Sequence, residues 1–203
     1  TLIVHNTKKA AAKTFEELKR RVAGDARVYF LTTDLCPKHR LKIIETIKGI
    51  LDSDDGRKVY LVSTQLIEAG VDISVDVAFR SMAGLDSIIQ TAGRCNRHGK
   101  YGISPVYVFE SADENLGSLP DIKHAQEDYR NTHEYCKNRN LSLMSQEAID
   151  KYYSIRNLRL QRDASIEYPI KLNTWTTITK LFLTGKENPV FKRAKEMLSL
   201  IHI

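Results

Sequence analysis

The chain has 203 residues, 42% of them apolar, enough for one core-bearing domain plus an appendage. No segment of this sequence approaches the ~20 consecutive apolar residues of a membrane span, and no membrane partner is expected. Lys plus Arg outnumber Asp plus Glu by 31 to 25, a net charge of +6 that suits a nucleic-acid partner and an ordinary basic surface equally well. Cys36, Cys95 and Cys136 are odd in number, widely spaced and without a C-x-x-C pair. They argue against a disulfide framework or a zinc site and for reduced thiols in the cytoplasm.

Residue 1 already lies in an apolar run, and neither an initiator Met nor a signal peptide precedes it, as expected of a sequence cut just before a strand. Residues 1–5 (TLIVH) read as a buried strand. Asn6 or Thr7 is placed to cap the next helix, whose apolar face carries Ala11, Phe15, Leu18 and Val22 at three- and four-residue steps. Residues 27–31 (RVYFL) form a second strand. A loop, Thr32 to Cys36, leads to Pro37 at a first helical position, and the helix after it buries Ile43, Ile44, Ile47, Ile50 and Leu51. Residues 58–63 are a third strand, 65–69 a single helical turn stopped by Gly70, 75–80 a fourth strand, and 105–109 a fifth. Strands that alternate with helices and are almost continuously apolar predict an α/β fold, a parallel sheet covered on both faces. In such a sheet the working loops gather beyond the carboxyl ends of the strands. Thr32, Thr64 and the end of the helix after the fourth strand are therefore expected to converge there.

Residues 110–119 read as a small, polar, acidic linker. Beyond it the period changes to helical, through Ile122, Ala125, Tyr129, Thr132 and Cys136, and then through Ala148, Ile149, Tyr152 and Ile155, with Ser145 as a cap. From 166 to 186 the period is undefined, and 175–178 fits a strand or a helix. The expected organisation is a lobe at 1–110, a linker at 111–119, a mostly helical extension at 120–197, and a tail at 198–203. That tail, LSLIHI, matches the translation of a sequencing adapter and is expected to be non-native.

The chemistry concentrates in Q-T-A-G-R-C-N-R-H-G-K, residues 90–100. Continued as a helix, it puts Gln90, Arg94 and Arg97 in one narrow sector, with Ile88 and Ala92 behind. Two planar, permanently charged guanidiniums side by side suit bidentate capture of phosphate oxygens or stabilisation of a phosphoryl group in transfer. The stretch S-T-Q-L-I-E-A-G-V-D-I-S, residues 63–74, precedes it.

The order strand, T-Q-x-x-E-x-G-x-D, strand, helix, Q-x-x-G-R-x-x-R resembles motifs V and VI in the second RecA-like lobe of superfamily 2 helicases. With L-T-T-D-L-C-P-K-H-R at 31–40, the wording resembles the CRISPR-associated helicase–nuclease of type I systems over about the first half of the chain. The resemblance implies an ATP-dependent translocase on single-stranded DNA that degrades DNA exposed by a guide-RNA surveillance complex. By it, Arg97 is the arginine finger, Arg94 a second clamp or an interlobe contact, and Gln90 orients the attacking water or the γ-phosphate. Gly70 lets the backbone approach ATP, and Asp72 accepts from the ribose or holds the arginine cluster. Thr64 and Gln65, with Thr32, Thr33 and Arg40, grip DNA; His39 is equally a polar helix face, and His98 and Lys100 only extend the basic patch.

No G-x-x-x-x-G-K-[ST] and no D-E-x-H occurs, and the six histidines are scattered, none beside an Asp. ATP and Mg²⁺ are thus expected to need a first RecA-like lobe, and the nuclease metals a further domain. The chain alone is expected neither to hydrolyse ATP nor to cut DNA, and to hold no metal. Two alternatives stay open: the second lobe of another superfamily 2 DNA or RNA helicase, and a RecA-like nucleic-acid-binding module without catalysis.

Overall fold

The computed structural model describes residues 1–22, 24, 26–53, 56–68, 70–99, 102–162, 169–171 and 175–177. The chain divides into two compact units, 1–152 and 153–203. The first is built on a five-stranded, all-parallel sheet of β1 (Leu2–Val4), β2 (Arg27–Leu31), β3 (Val59–Ser63), β4 (Ala78–Ser81) and β5 (Val106–Phe109) in the order β2-β3-β1-β4-β5. The expected α/β, RecA-like sheet with helices on both faces is what the chain forms, and helices follow it.

Each connection has a local cause. α1 (Lys8–Arg21) starts at Thr7, whose hydroxyl accepts from Ala10 N, and ends with Lys19, Arg20 and Arg21 in its last turn, where cations complement the helix dipole. It covers one face of the sheet with Ala10 and Ala11 fully buried and Phe15 stacked on Phe30 at 5.1 Å. α2 (Pro37–Ser53) covers the other face. Its Ile47 and Ile50 join Leu2, Val4, Leu31, Leu61 and Ala78 of the sheet and Ile67, Val71, Ile73 and Val75 of the β3–β4 connection in the main core. Each such side chain is worth about 1.5–3 kcal/mol on burial.

Two sequence expectations shift. The fourth strand begins at Ala78 rather than at 75, because Val75 spends its backbone on the segment after the next helix. Its N–H donates to Arg94 O at 2.9 Å and its carbonyl accepts from Asn96 N at 2.8 Å. For the same reason that helix, α3 (Leu85–Ala92), stops short of the arginines. The Asn96 N–H that would continue it is taken by Val75, Gly93 caps it, and Asn96 turns to a left-handed φ of 49°.

α4 (Pro120–Arg139) closes at Asn140, φ 53°, with Leu141 N on Cys136 O at 2.9 Å. α5 (Gln146–Arg162) starts from Ser145, whose hydroxyl accepts from Ala148 N. Tyr129 of α4 and Tyr152 of α5 pack on Leu85 and Ile88 of α3 in a second apolar cluster. In the second unit, Pro169–Lys171 and Trp175–Thr177 pair antiparallel, so 175–177 is strand; the rest of the undefined 166–186 stretch and the 198–203 tail lie outside the described residues.

The start of α3 is the tightest point of this second cluster. A Cβ on Gly84 would sit against Tyr152 Oη and Asp86 Oδ1, closer than carbon can approach, and the Tyr152 hydroxyl, donating to Asp86 at 3.0 Å from a fully buried ring, has nowhere to go. Gly84→Ala is expected to cost about 1–3 kcal/mol, seen as a lower melting temperature. Adding Tyr152→Phe is expected to recover part of that loss, and an unshifted melting temperature in the single variant would show the start of α3 to be slack.

Candidate nucleotide and nucleic-acid site

The residues singled out from the sequence form two groups at opposite ends of the sheet. Thr32, Thr33, Thr64 and Gln65 follow β2 and β3 at the carboxyl end, where Ser63 Oγ donates to Leu31 O at 2.7 Å and ties the two strand ends together. Thr33 and Gln65 are exposed, and Arg40 is half-buried in the first turn of α2. Thr64 keeps 8% of its surface, and its carbonyl receives Ile67 N at 3.2 Å, closing the 3-10 turn Gln65–Ile67. Thr32 has no exposed surface and its hydroxyl has no partner, so its side chain touches no ligand in this conformation.

Gln90, Arg94 and Arg97 do not join that group. α3 leaves the carboxyl end of β4 and runs back antiparallel to the strands, so its end lies at their amino ends. There Cys95 Sγ approaches Asp76 O and Pro105 O, just before β4 and β5. The expected convergence on the carboxyl side is thereby corrected. So is the single helical face, since Gln90 is helical and exposed while Arg94 and Arg97 stand in the turn beyond. Arg94 turns inward: its Nη2 donates to Glu68 O at 2.7 Å and its Nε to Ile67 O at 3.3 Å. Burial and the charge of Arg97 lower its pKa, against Asp72. Arg97 is exposed and pairs with Asp72, Nε to Oδ1, at 3.3 Å. Asp72 also meets Lys48 Nζ at 3.4 Å, and the Lys48 ammonium, then Arg97 and His98, hold its carboxyl below the usual range. Of the two roles open to Asp72, holding the arginine cluster is the one with a contact. Gly70, φ 71° with open space around it, supplies the reversal between Glu68 and Asp72.

A buried polar network, marked by the sequence motifs at Glu68 alone, lies toward the carboxyl side of the sheet. Arg80, in the middle of β4, has no exposed surface. Its Nε lies 3.0 Å from Glu68 Oε1, off the hydrogen-bond direction, and its Nη1 donates to Asn6 Oδ1 at 2.9 Å and Ser81 O at 2.8 Å. Glu68 Oε2 accepts from Ser87 Oγ at 2.8 Å. Burial raises the Glu68 pKa and lowers that of Arg80, while each charge opposes the shift of the other. Asn6 passes the network on. Its backbone N–H and Nδ2 donate to the Glu114 carboxylate at 2.6 and 2.7 Å, Ser81 Oγ donates at 2.8 Å, and His5 Nδ1 lies at 3.3 Å. Burial disfavours the Glu114 charge, but these donors outweigh it and hold the pKa at about 2. Arg80 was legible as a charge inside an apolar strand, a placement that requires a buried partner. Glu114, inside the acidic stretch read as a linker, carried no such signal.

Residues 1–100 match the family model for the C-terminal region of the CRISPR-associated nuclease/helicase Cas3. Over these residues, just under half of the chain, it is similar to the C-terminal region of Cas3. A Cas3 nuclease/helicase of Haloferax volcanii is 42% identical over 88 residues, which is 42% of this chain and 9% of that protein. The Cas3-like lobe thus spans about a tenth of the curated relative. Its fold matches the crystal structure of T. fusca Cas3 with ADP at a TM-score of 0.62 and 20% identity, over 81% of this chain and 22% of that one. It also matches a chain in a CRISPR RNA-guided surveillance complex before nicking, at 0.57 and 19%, over 81% and 23%.

The Glu114 cradle sets an acid limit on the Cas3-like lobe. Its folded pKa, about 2, lies below the ordinary 4.5, so the stabilisation is full above the ordinary value and is lost as pH falls toward 2. Glu114→Gln is expected to cost about 1–3 kcal/mol at neutral pH and to flatten the dependence of melting temperature on pH below about 4.5. An equally steep acid limb in the variant would place the titration elsewhere.

Proposed function

We propose that the lobe is the second half of an ATP-driven motor that moves along single-stranded DNA in type I CRISPR interference. One observation carries the reading: Asp72 and Arg97, from the two motifs, meet at 3.3 Å beside Lys48 on an exposed edge. In this reading Arg97 is the finger. Among the described residues its guanidinium meets one carboxylate, that of Asp72, and Arg97 is exposed, a donor set that fits a phosphate. Arg94 is the second clamp, Gln90 orients the attacking water, and Gly70 leaves room for a close backbone approach. A phosphate-binding loop and a DExH box on a first RecA-like lobe of the same protein complete the site and hold Mg²⁺. ATP supplies a γ-phosphoryl group whose transfer the fixed positive charge assists.

Thr33, Gln65, Thr64 and Arg40 contact the DNA backbone at the carboxyl end of the sheet, with Thr32 supporting them from beneath. Contacts of this kind fix position and read no sequence. Lobe closure on ATP carries the arginines to the phosphates, and reopening resets the DNA grip. A metal-dependent nuclease domain and a guide-RNA surveillance complex are the further partners. The surveillance-complex assembly of a protein with this fold supports the last of these. No described helix is long and apolar enough to cross a membrane.

The test is Arg97→Ala in the full-length protein. The expected outcome is a fall of about 10³-fold or more in kcat for ATP hydrolysis, with single-stranded DNA binding retained. An unchanged kcat removes the finger assignment, and a wild-type protein without DNA-stimulated hydrolysis favours a plain binding module.

A further inference from the structure

The segment from Thr64 to Asp72 carries residues of both groups, so what fixes its middle bears on whether they communicate. The fixed point is Glu68, held by two arginines besides the Ser87 hydroxyl on its Oε2. Arg94 takes its backbone carbonyl at 2.7 Å, and Arg80 faces its carboxylate at 3.0 Å. The two holds differ in kind. Arg94 is half-buried at the edge and is one of the arginines assigned to the nucleotide, so on turning to a phosphate it gives up the Ile67 and Glu68 carbonyls. Arg80 has no exposed surface and is bound to Asn6 and the Ser81 carbonyl, so it stays.

We infer that Arg80 is a positioning residue that keeps the 65–68 turn seated on the sheet while Arg94 exchanges, so that nucleotide state at one end of the lobe is felt as DNA grip at the other. This rests on the motor reading above. Buried ion pairs of this sort add little net stability, because desolvation offsets their attraction. Arg80 Nε, Arg80 Nη2 and Glu68 Oε1 lack an aligned hydrogen-bond partner, so this pair is not built for maximal stability. What it supplies is a fixed location for Glu68, since among the described residues Arg80 is the cation that faces its carboxylate. Without that location, release by Arg94 frees the turn, and Thr64 no longer reports what happens at Arg97.

The experiment measures the affinity of the full-length protein for single-stranded DNA with and without a non-hydrolysable ATP analogue; the ratio of the two is the coupling. The variant is Glu68→Leu with Arg80→Met, which replaces the pair by apolar groups and is expected to preserve the melting temperature. Arg80→Lys serves alongside it, keeping the charge and losing the fork that reaches Glu68 and Asn6 together. The wild type is expected to show a nucleotide-dependent ratio of about tenfold, and both variants a ratio near one with nucleotide-free DNA affinity retained. A folded variant of either kind that keeps the wild-type ratio overturns the proposal, because a merely structural pair would lose stability and not coupling. A wild-type ratio of one overturns the motor reading itself.

Discussion

A guanidinium with no access to water stands in the middle of β4, and the carboxyl end of the sheet is arranged around it. An unpaired buried charge costs many kcal/mol, so Arg80 dictates a surrounding set of acceptors. Glu68 supplies a carboxylate from the β3–β4 connection, Asn6 an amide oxygen from the end of β1, and Ser81 its own carbonyl. The demand spreads outward. Asn6, having turned its oxygen to Arg80, points its Nδ2 the other way, and Glu114 comes in to receive it. The capping of α1 then falls to Thr7, although Asn6 is as good a cap by type.

The same constraint explains where the functional residues are not. In the order β2-β3-β1-β4-β5 the connection after β1 leaves toward β2 and the one after β4 toward β5, so a crevice opens between β1 and β4. Open parallel sheets bind ligands at such a point. Here the crevice is filled from within: the Glu114 carboxylate takes donors from His5, Asn6 and Ser81 as a bound anion would. The switch point serves to anchor the chain after β5. The arginines stand at the other end of the sheet because α3 carries the chain back there.

The parallel sheet was legible because each strand is a short, nearly unbroken apolar run and each helix shows its period. The ends of elements were less so, for a reason visible at Val75. Apolar character says that Val75 is buried, not with what it pairs, and its partner, Cys95, is twenty residues on. That pairing also ends α3, so one long-range contact moved both the strand start and the helix end. The site residues were readable as types, since phosphate chemistry asks for arginines and glycines in a set order. Their distribution over two ends of the sheet was not, because helical period describes a face and says nothing about which end of the sheet the helix reaches. Glu114 was hidden because its partners are more than thirty residues away and its neighbours are those of a solvated loop.

Separation of the two groups makes the connection between them a mechanical question. β4 rises about 3.3 Å per residue, so its span, with the loop that leads into it from Val75, sets Asp72 and Arg97 apart from Thr33 and Thr64, and Arg94 reaches across to the turn through the Ile67 and Glu68 carbonyls. Between exposed charges at such a distance, salt screening leaves little direct attraction. On the proposed motor reading, communication runs through the chain and the Arg94 hydrogen bonds to it. A loose loop absorbs displacement in its own dihedrals, whereas a turn pinned at its centre moves as a lever about the pin. The 3-10 turn is closed by Ile67 N on Thr64 O and Glu68 N on Gln65 O, and its apolar side is sunk into the core through Ile67. Gly70, free to take a left-handed φ, is the soft point just beyond it. Rigid turn, buried pin and soft joint in that order place the flexibility on the Asp72 side and the stiffness on the Thr64 side. On the proposed reading, a change at Arg97 would be taken up first at Gly70, and only the part that reaches Glu68 against Arg80 would pass on to the strand end.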